Sequence, residues 1–395
     1  MPDAIRGSIG RRLRAAVIGG GGDAQIAATH RLAMRFDDAF DIVAGVVSSD
    51  PKRAVAEGDA LNIARPYPDL ATMFAAEARR EDRPDLVAIM TPNHAHAAGC
   101  LASLDAGYHV ICDKPLANSV AEATEIVARA KSRGLLLCVT HNYSGYPMVR
   151  QMRKMVLNGA VGPVHLVQVR YAQGNLGTPV MDGAARVAAL RWRLDPAMGG
   201  RSNLLLDVGT HAHQLLDFVV GSDFETLAAD LGPSLPGRTF DDTVMVFGQL
   251  ENGARASLTA TKAATGAPQI LDIEVYGDKG GLIWRQQDAQ SLTHCRPGAA
   301  DSRLHRGMEK LAPEVLASMR NPRPHPEGFR EAFVNIYSAF GASVSARLAG
   351  RPDDTAPLLW PGPDYALRSL EFVEACMKSS DTRSWVRLRE FGNGG

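Results

Sequence analysis

The stretch Leu13-Arg14-Ala15-Ala16-Val17-Ile18-Gly19-Gly20-Gly21-Gly22-Asp23-Ala24 reads as a short buried strand that runs straight into a glycine turn. Helical spacing then holds from about Gln25 to Phe36. Strand, glycine turn and helix together are the setting in which a G-x-G-x-x-(G/A) pattern carries meaning, and Gly19, Gly21 and Ala24 fit it. Glycines let the backbone approach a pyrophosphate closely, and the helix N-terminus faces its charge. Gly22 and Asp23 fill the same turn and count as cofactor contacts with the other three.

Working outward, the alternation of strand and helix continues. Phe40 to Val47 is a second strand, ending in Ser48-Ser49-Asp50-Pro51-Lys52-Arg53. An NAD enzyme commonly places an acid here to bind the ribose 2′-hydroxyl. This chain has Ser48 and Ser49, with Lys52 and Arg53 behind them, so the spacing leaves NAD and NADP both open, the balance falling towards NAD. Asp50-Pro51 also suits the opening of the next helix. Asp85 to Met90 is a third strand, and Thr91-Pro92-Asn93-His94-Ala95-His96 leads from it into a helix ending at Gly107. Thr91, Pro92, Asn93 and His96 are read as residues beside the cofactor. His94 and His96 have no third ligand near them, so no metal is expected. Strand Tyr108 to Cys112 delivers Asp113-Lys114-Pro115 to the sheet edge where α/β folds bind ligands. Helix Val120 to Arg133 and strand Leu135 to Thr140 complete the alternation, and His141-Asn142-Tyr143 breaks it. The expected division is a mobile tail at 1–12, a Rossmann dinucleotide-binding domain at 13–142, and a substrate-binding and oligomerisation domain at 143–395. The last helix is free to pack back on the first domain.

In the second half, Gly199 to Phe218 (GGRSNLLLDVGTHAHQLLDF) reads as a loop entering an amphipathic helix. Asp207 and His211 are four apart, hence one turn apart on one face. A carboxylate beside an imidazole orients it and raises its pKa, which suits a general acid/base. Read without that role, Asp207 is a helix N-cap and His211 a half-buried helical histidine. Gly162 to Ala172 alternates like a strand and ends in Gln173-Gly174-Asn175. Three further alternating runs, near 243–249, 254–260 and 269–276, suggest an antiparallel sheet. Residues 299 to 326 lose periodicity and read as a surface loop, followed by His325 at the start of a long helix, Phe329 to Leu348, and a final helix from Asp364 to Lys378.

Composition bounds the partners. The 395 residues carry 43 Lys plus Arg and 43 Asp plus Glu. That balance gives no electrostatic reason to expect nucleic acid or an anionic membrane. No apolar run approaches the roughly 18 residues of a membrane span. Five cysteines (Cys100, Cys112, Cys138, Cys295 and Cys376) lie scattered in apolar settings, which suits reduced thiols in a cytoplasm. A wide open sheet would bury one face in a homodimer or homotetramer.

The glycine fingerprint, TPNHAH, DKP after a strand and D-x-G-x-H downstream resemble the glucose–fructose oxidoreductase/inositol dehydrogenase/rhizopine-catabolism (Gfo/Idh/MocA) family, from about Leu13 to Leu388. The resemblance implies an α/β protein: an N-terminal Rossmann doubly wound parallel sheet, then a C-terminal α/β domain on a large, open, mostly antiparallel sheet. It implies NAD(P)-dependent transfer of hydride between a nicotinamide and a secondary carbinol. Lys114 matches the family's EKP lysine, with Asp113 in place of glutamate. Asp207 and His211 match the acid and histidine of its motif, and LLLD replaces the small residues expected before the acid. His211 is then the proton acceptor and Lys114 the holder of the substrate oxygen, although Lys114 is also a candidate to share the proton transfer. Asp113, Lys114 and Asn142 join the cofactor contacts. Lys114, Tyr143, Gln173, Asn175, Arg193, Asp207, His211 and His325 form the substrate set. HNYSGYPMVRQMR, GRSN and HPEGFREAFVNIY point towards inositols, anhydrosugars such as levoglucosan, or glycosides. Two other readings share the fold: a catalytically silent dinucleotide-binding regulator and an NAD-dependent glycosidase.

Overall fold

The computed structural model describes residues 8–22, 24–177, 195–308, 310–353 and 359–391. They form two compact units. The first comprises the chain up to Ala117, Glu122–Gly145 and Phe329–Asp364; the second comprises Asn118–Ala121, Tyr146–Gly328 and the chain from Tyr365 on.

In the first unit the order is β1 (Leu13–Ile18), α1 (Gln25–Phe36), β2 (Phe40–Val46), α2 (Pro51–Ala60), α3 (Leu70–Glu77), β3 (Leu86–Ile89), α4 (His96–Asp105), β4 (His109–Cys112), α5 (Val120–Ser132) and β5 (Leu137–Val139). The strands form one sheet in the order β2-β1-β3-β4-β5, and every pairing is parallel. β1, β3 and β4 are short and apolar because both faces of a parallel sheet are covered. Leu13, Val17, Val87, Ile89 and Ile111 are all sealed from solvent, each burial contributing about 1.5–3 kcal/mol. Strand order reverses between β1 and β3, which opens the crevice where such sheets take ligands.

The second unit adds α6 (Pro147–Leu157), β6 (Val164–Ala172), α7 (Thr210–Val220), β7 (Phe224–Gly232), β8 (Thr243–Leu250), β9 (Arg255–Thr261), β10 (Ile270–Gly277), β11 (Gly280–Arg285), β12 (Ser291–Cys295) and β13 (Ser302–His305). Beyond them lie α8 (Phe329–Leu348), α9 (Pro363–Thr382) and β14 (Val386–Arg387). Its nine-stranded sheet runs β13-β12-β11-β10-β6-β9-β8-β7-β14. The pairing of β6 with β9 is parallel and the others are antiparallel. The chain is thus an α/β protein with a Rossmann sheet and a large, mostly antiparallel sheet.

Three features differ from what periodicity predicts. Helix α8 belongs to the first unit, although the spacing draws a single boundary near 143. Fourteen consecutive residues of it, Ala332–Ser345, are buried. Its Phe333 and Tyr337 rings meet His30 of α1 edge-on, so α8 closes over an apolar surface that the first 145 residues leave open. Second, residues 8–12 are not a loose tail over that span. Arg11 makes a bidentate pair with Asp85 at 2.6 and 2.7 Å, and Arg12 pairs with Asp41 at 2.9 Å. Third, the aperiodic region after 299 is pinned from within. Arg306, 1% exposed, donates to Gln290 Oε1 and to the Asn321 carbonyl, both at 2.7 Å, and pairs with Glu327 at 3.3 Å. The Glu327 carboxylate in turn accepts from the Arg320 and Asn321 amides at 2.7 and 2.6 Å. Backbone polar groups without a ladder are satisfied here by two buried charges.

Candidate active site

The glycine turn has the shape that its sequence predicts. Gly19, Gly20 and Gly22 have φ of 80°, 79° and 57°, a region that favours glycine. A Cβ on Gly19 would lie 2.6 Å from the Thr91 side chain and 2.9 Å from its backbone, so the ends of β1 and β3 approach as closely as glycine permits. Arg31 of α1 donates to Gly20 O at 2.6 Å and fixes the turn from behind. Ala24 stands at the N-cap of α1 with no side-chain acceptor for the first-turn amides. Among the described residues the buried Thr91 hydroxyl and the buried Asn142 amide nitrogen have no hydrogen-bond partner. A cradle that a Cβ would fill, an uncapped helix start and two orphaned polar atoms fit a dinucleotide. Asp23 lies outside the described residues.

At the end of β2, Asp50 proves to be the N-cap of α2. Its carboxylate accepts from Arg53 N at 2.9 Å, its own amide donates to Ser48 Oγ at 3.2 Å, and Arg53 pairs with Glu57 at 2.7 Å. Ser49 and Lys52 are exposed and Ser48 is half-buried. Pro92 is exposed and Asn93 half-exposed, at the start of a single helical turn before α4. Two residues read as cofactor contacts turn inward instead. His96 is fully buried, with Nδ1 2.6 Å from Pro115 O and Nε2 2.8 Å from Thr91 O. It links two loops, because its two ring nitrogens lie against carbonyls of different loops, the neutral ring donating to one of them. Burial pushes its pKa down, against Asp113 and those two carbonyls. Asp113 also faces inward, accepting from the Thr140 hydroxyl and the Lys114 amide at 2.9 Å each. It stands 3.4 Å from His30 Nε2, whose Nδ1 is 2.7 Å from the Tyr337 hydroxyl. Burial would raise the Asp113 carboxyl, but the His30 hydrogen bond and charge, with Lys114 and His96 behind them, outweigh it and hold the group well below the usual carboxylate range. Asp113 therefore braces the turn that presents the half-exposed Lys114, and the bond from Lys114 to Pro115 is cis. Tyr143, 1% exposed with its ring against Phe329 at 6.4 Å, is packed in the core of its unit.

In the second unit the motif segment is more deeply buried than an amphipathic pattern implies. A wide π-helical turn, Leu205–Gly209, leads into α7, and all eleven residues of α7 are buried. Asp207 sits in that turn, so it is not the helix N-cap. A Cβ on Gly209 would lie 2.9 Å from the Leu205 side chain. The space beside Gly209 is therefore filled by the chain's own leucine. Wide turns of this kind gather at functional sites. The carboxylate of Asp207 lies 2.7 Å from the ammonium of Lys262, which also donates to Asn203 Oδ1 at 2.7 Å. His211, 7% exposed, has its ring 6.3 Å from that of Tyr171. The Tyr171 hydroxyl accepts from Gln173 Nε2 at 3.2 Å and Gln269 Nε2 at 2.9 Å. Nearby, Asp241 accepts from the Ser202 hydroxyl at 2.5 Å, and burial pushes its carboxyl up, against Ser202, backbone amides and Lys262. The parallel register explains the gathering: Ala172 of β6 pairs with Thr261 of β9, so Gln173 and Lys262 emerge side by side.

The substrate set divides accordingly. Asp207, His211 and Gln173 belong to this cluster, Lys114 and Tyr143 to the first unit, and Asn175 and His325 are exposed. Arg193 lies outside the described residues. Sequence reasoning missed Lys262, Asn203 and Tyr171. A lysine immediately after an alternating strand, in TATKAATG, was the signal available for the first.

Residues 13–141 match the description of an oxidoreductase family with an NAD-binding Rossmann fold, and residues 149–283 match the GFO/IDH/MocA C-terminal domain. The uncharacterized oxidoreductase YfiI of Bacillus subtilis is 33% identical over 387 residues, 96% of this chain and 98% of YfiI. A crystal structure of an inositol dehydrogenase homolog from Azotobacter vinelandii, complexed with NAD+, superposes with a TM-score of 0.90 at 32% identity, covering 95% of this chain and 97% of that one. A structure under the same name and organism, with NADH and myo-inositol, gives 0.87 at 31% over 96% and 98%. Levoglucosan dehydrogenase of Pseudarthrobacter phenanthrenivorans is 28% identical over 236 residues, 53% of this chain and 58% of that protein. These matches identify an oxidoreductase with an NAD-binding Rossmann domain. The chain belongs to the Gfo/Idh/MocA family.

Proposed function

We propose that the protein is an NAD(P)-dependent dehydrogenase that transfers hydride between the nicotinamide and a secondary carbinol of an inositol, sugar, anhydrosugar or glycoside. NAD is favoured over NADP: Arg53, the cation best placed to meet a 2′-phosphate, is paired with Glu57. The observation that carries the reading is the buried His211 imidazole one turn from a carboxylate, in a chain whose other unit holds the glycine cradle. When bound, the nicotinamide supplies the hydride acceptor. His211 accepts the hydroxyl proton as hydride leaves, and Asp207 orients the ring. Lys114 holds the substrate oxygen and stabilises its developing negative charge. Gln173 and Asn175 offer hydroxyl-binding groups, with Arg193 and His325 completing the set. The small-molecule substrate makes nucleic acid and membrane unneeded partners, and among the described residues no helix is long and apolar enough to cross a membrane.

The test is formation of reduced nicotinamide by purified protein with NAD or NADP and a panel of inositols, anhydrosugars, free sugars and glycosides. A substrate-dependent signal that falls by about 100-fold or more in His211→Ala and Lys114→Met supports the reading. Silence across the panel, with dinucleotide binding seen by calorimetry, favours the regulator. Release of free aglycone from a glycoside favours the glycosidase.

A further inference from the structure

Lys262 follows the last residue of β9, and its amide donates to Asp242 O at 2.8 Å. Its side chain is 3% exposed and its ammonium lies between Asp207 Oδ2 and Asn203 Oδ1, at 2.7 Å from each. Burying an ammonium costs several kcal/mol before pairing, so packing alone favours methionine at such a position. The charge has a specific neighbour instead. Of the other acids near it, Asp242 is committed to Arg238 at 2.5 Å, and Asp241 is pushed towards its neutral form by burial. Among the described residues, Lys262 therefore pairs with Asp207.

We propose that Lys262 is a positioning residue for the dehydrogenation: it anchors the Asp207 carboxylate one turn from His211, and its positive charge offsets the carboxylate's, leaving the imidazole a neutral proton acceptor. This rests on the reading that His211 takes the substrate proton. A carboxylate about 4–6 Å from an imidazole, standing alone, favours the imidazolium by roughly 1–3 pH units, and an imidazolium has no lone pair to offer. Paired with the ammonium at 2.7 Å, the carboxylate presents a weaker net negative charge to the ring. The described polar groups of this cluster fit this account. Asp207 lies on its own helical segment and Tyr171 faces it from β6. Lys262 stands at the end of β9, Asp241 with the Arg238–Asp242 pair before β8, and Ser202 and Asn203 in the loop ahead of the wide turn. Asn203, acting only on the ammonium, sets its direction.

The experiment is a titration of the His211 imidazole by NMR in the full chain labelled with 15N-histidine, its signal identified by its loss in His211→Gln. Lys262→Met should raise the midpoint by about 1 pH unit or more, Lys262→Arg should keep it at the wild-type value, and adding Asp207→Asn to Lys262→Met should cancel the rise. An unmoved midpoint in folded Lys262→Met overturns the proposal. Should that variant fail to fold, Asp207→Asn tests the same charges from the other side. The ammonium then lacks the Asp207 charge and the midpoint must fall, and no fall overturns the proposal equally. Turnover of myo-inositol by the wild type and by His211→Gln judges the underlying reading separately: equal rates sink the proton-transfer role of His211, whereas a midpoint unmoved by Lys262→Met sinks only the role of Lys262.

Discussion

Asp217 on α7 offers a pH dependence that can be worked out from its surroundings. It is 3% exposed and accepts from Arg368 Nε at 2.8 Å. His213 Nε2 lies 2.7 Å from Asp223, and Arg368 reaches Asp223 at 3.7 Å. Burial and the like charge of Asp223 push the Asp217 carboxyl from 3.8 up to about 6, with Arg368 and His213 pulling the other way. Because the folded-state value lies above the unfolded one, the native state binds this proton more tightly, and the contribution to stability is lost as pH rises from 3.8 through 6. The full loss is about 3 kcal/mol at pH 7.5, of which about half is regained by pH 5. Asp217→Asn removes the titration and keeps the shape. Its unfolding midpoint in urea should exceed the wild type's at pH 7.5 by the equivalent of about 1–3 kcal/mol, with the gap narrowing towards pH 5. Equal gaps at the two pH values, or a variant less stable than wild type at pH 7.5, would refute the reasoning, since Arg368 would then be stabilising the charged form by more than burial penalises it.

Gly19→Ala should abolish dinucleotide binding in calorimetry and lower stability by about 1–3 kcal/mol. It combines a φ of 80° with a methyl group 2.6 Å from Thr91. Arg306→Met leaves Glu327 as an uncompensated buried charge, a loss of about 3–5 kcal/mol. Limited proteolysis should then open the chain between 306 and 327, and Arg306→Met cut no faster than wild type would contradict the anchoring role. Met245 and Phe247 project from β8 at 48% and 59% exposure. If that face joins subunits, Phe247→Asp should lower the mass seen in sedimentation, while an unchanged mass assigns the contact elsewhere.

Local patterns were legible where one segment decides its own structure. The glycine turn after β1, the lysine after β4 and the alternating strands β8 to β10 needed no distant partner. The Asp207–His211 spacing was legible too, but not its setting. The leucines of LLLD wind a wide turn and Leu205 covers Gly209, a packing outcome that a four-residue spacing cannot encode. Lys262 lies 55 positions beyond Asp207, and the packing of the wide turn against β9 makes them neighbours. His96 and Asp113 were read as facing a ligand because they stand in the segments that follow β3 and β4, whereas their partners are backbone groups, the Thr140 hydroxyl and a histidine brought in by the fold. Strands β12 and β13 escaped because such short strands alternate over too few residues to stand out from a loop.

The late helix α8 has a consequence for how the chain is made. At about 5–20 residues per second, a ribosome needs roughly 10–40 s to travel from residue 145 to residue 348. For that interval the nascent nucleotide-binding sheet is fully translated yet lacks the layer bearing Phe333 and Tyr337, and His30 waits without its hydroxyl partner. A prematurely terminated chain therefore displays an uncovered apolar face that a chaperone or protease can recognise, so that only chains synthesised past α8 conceal it.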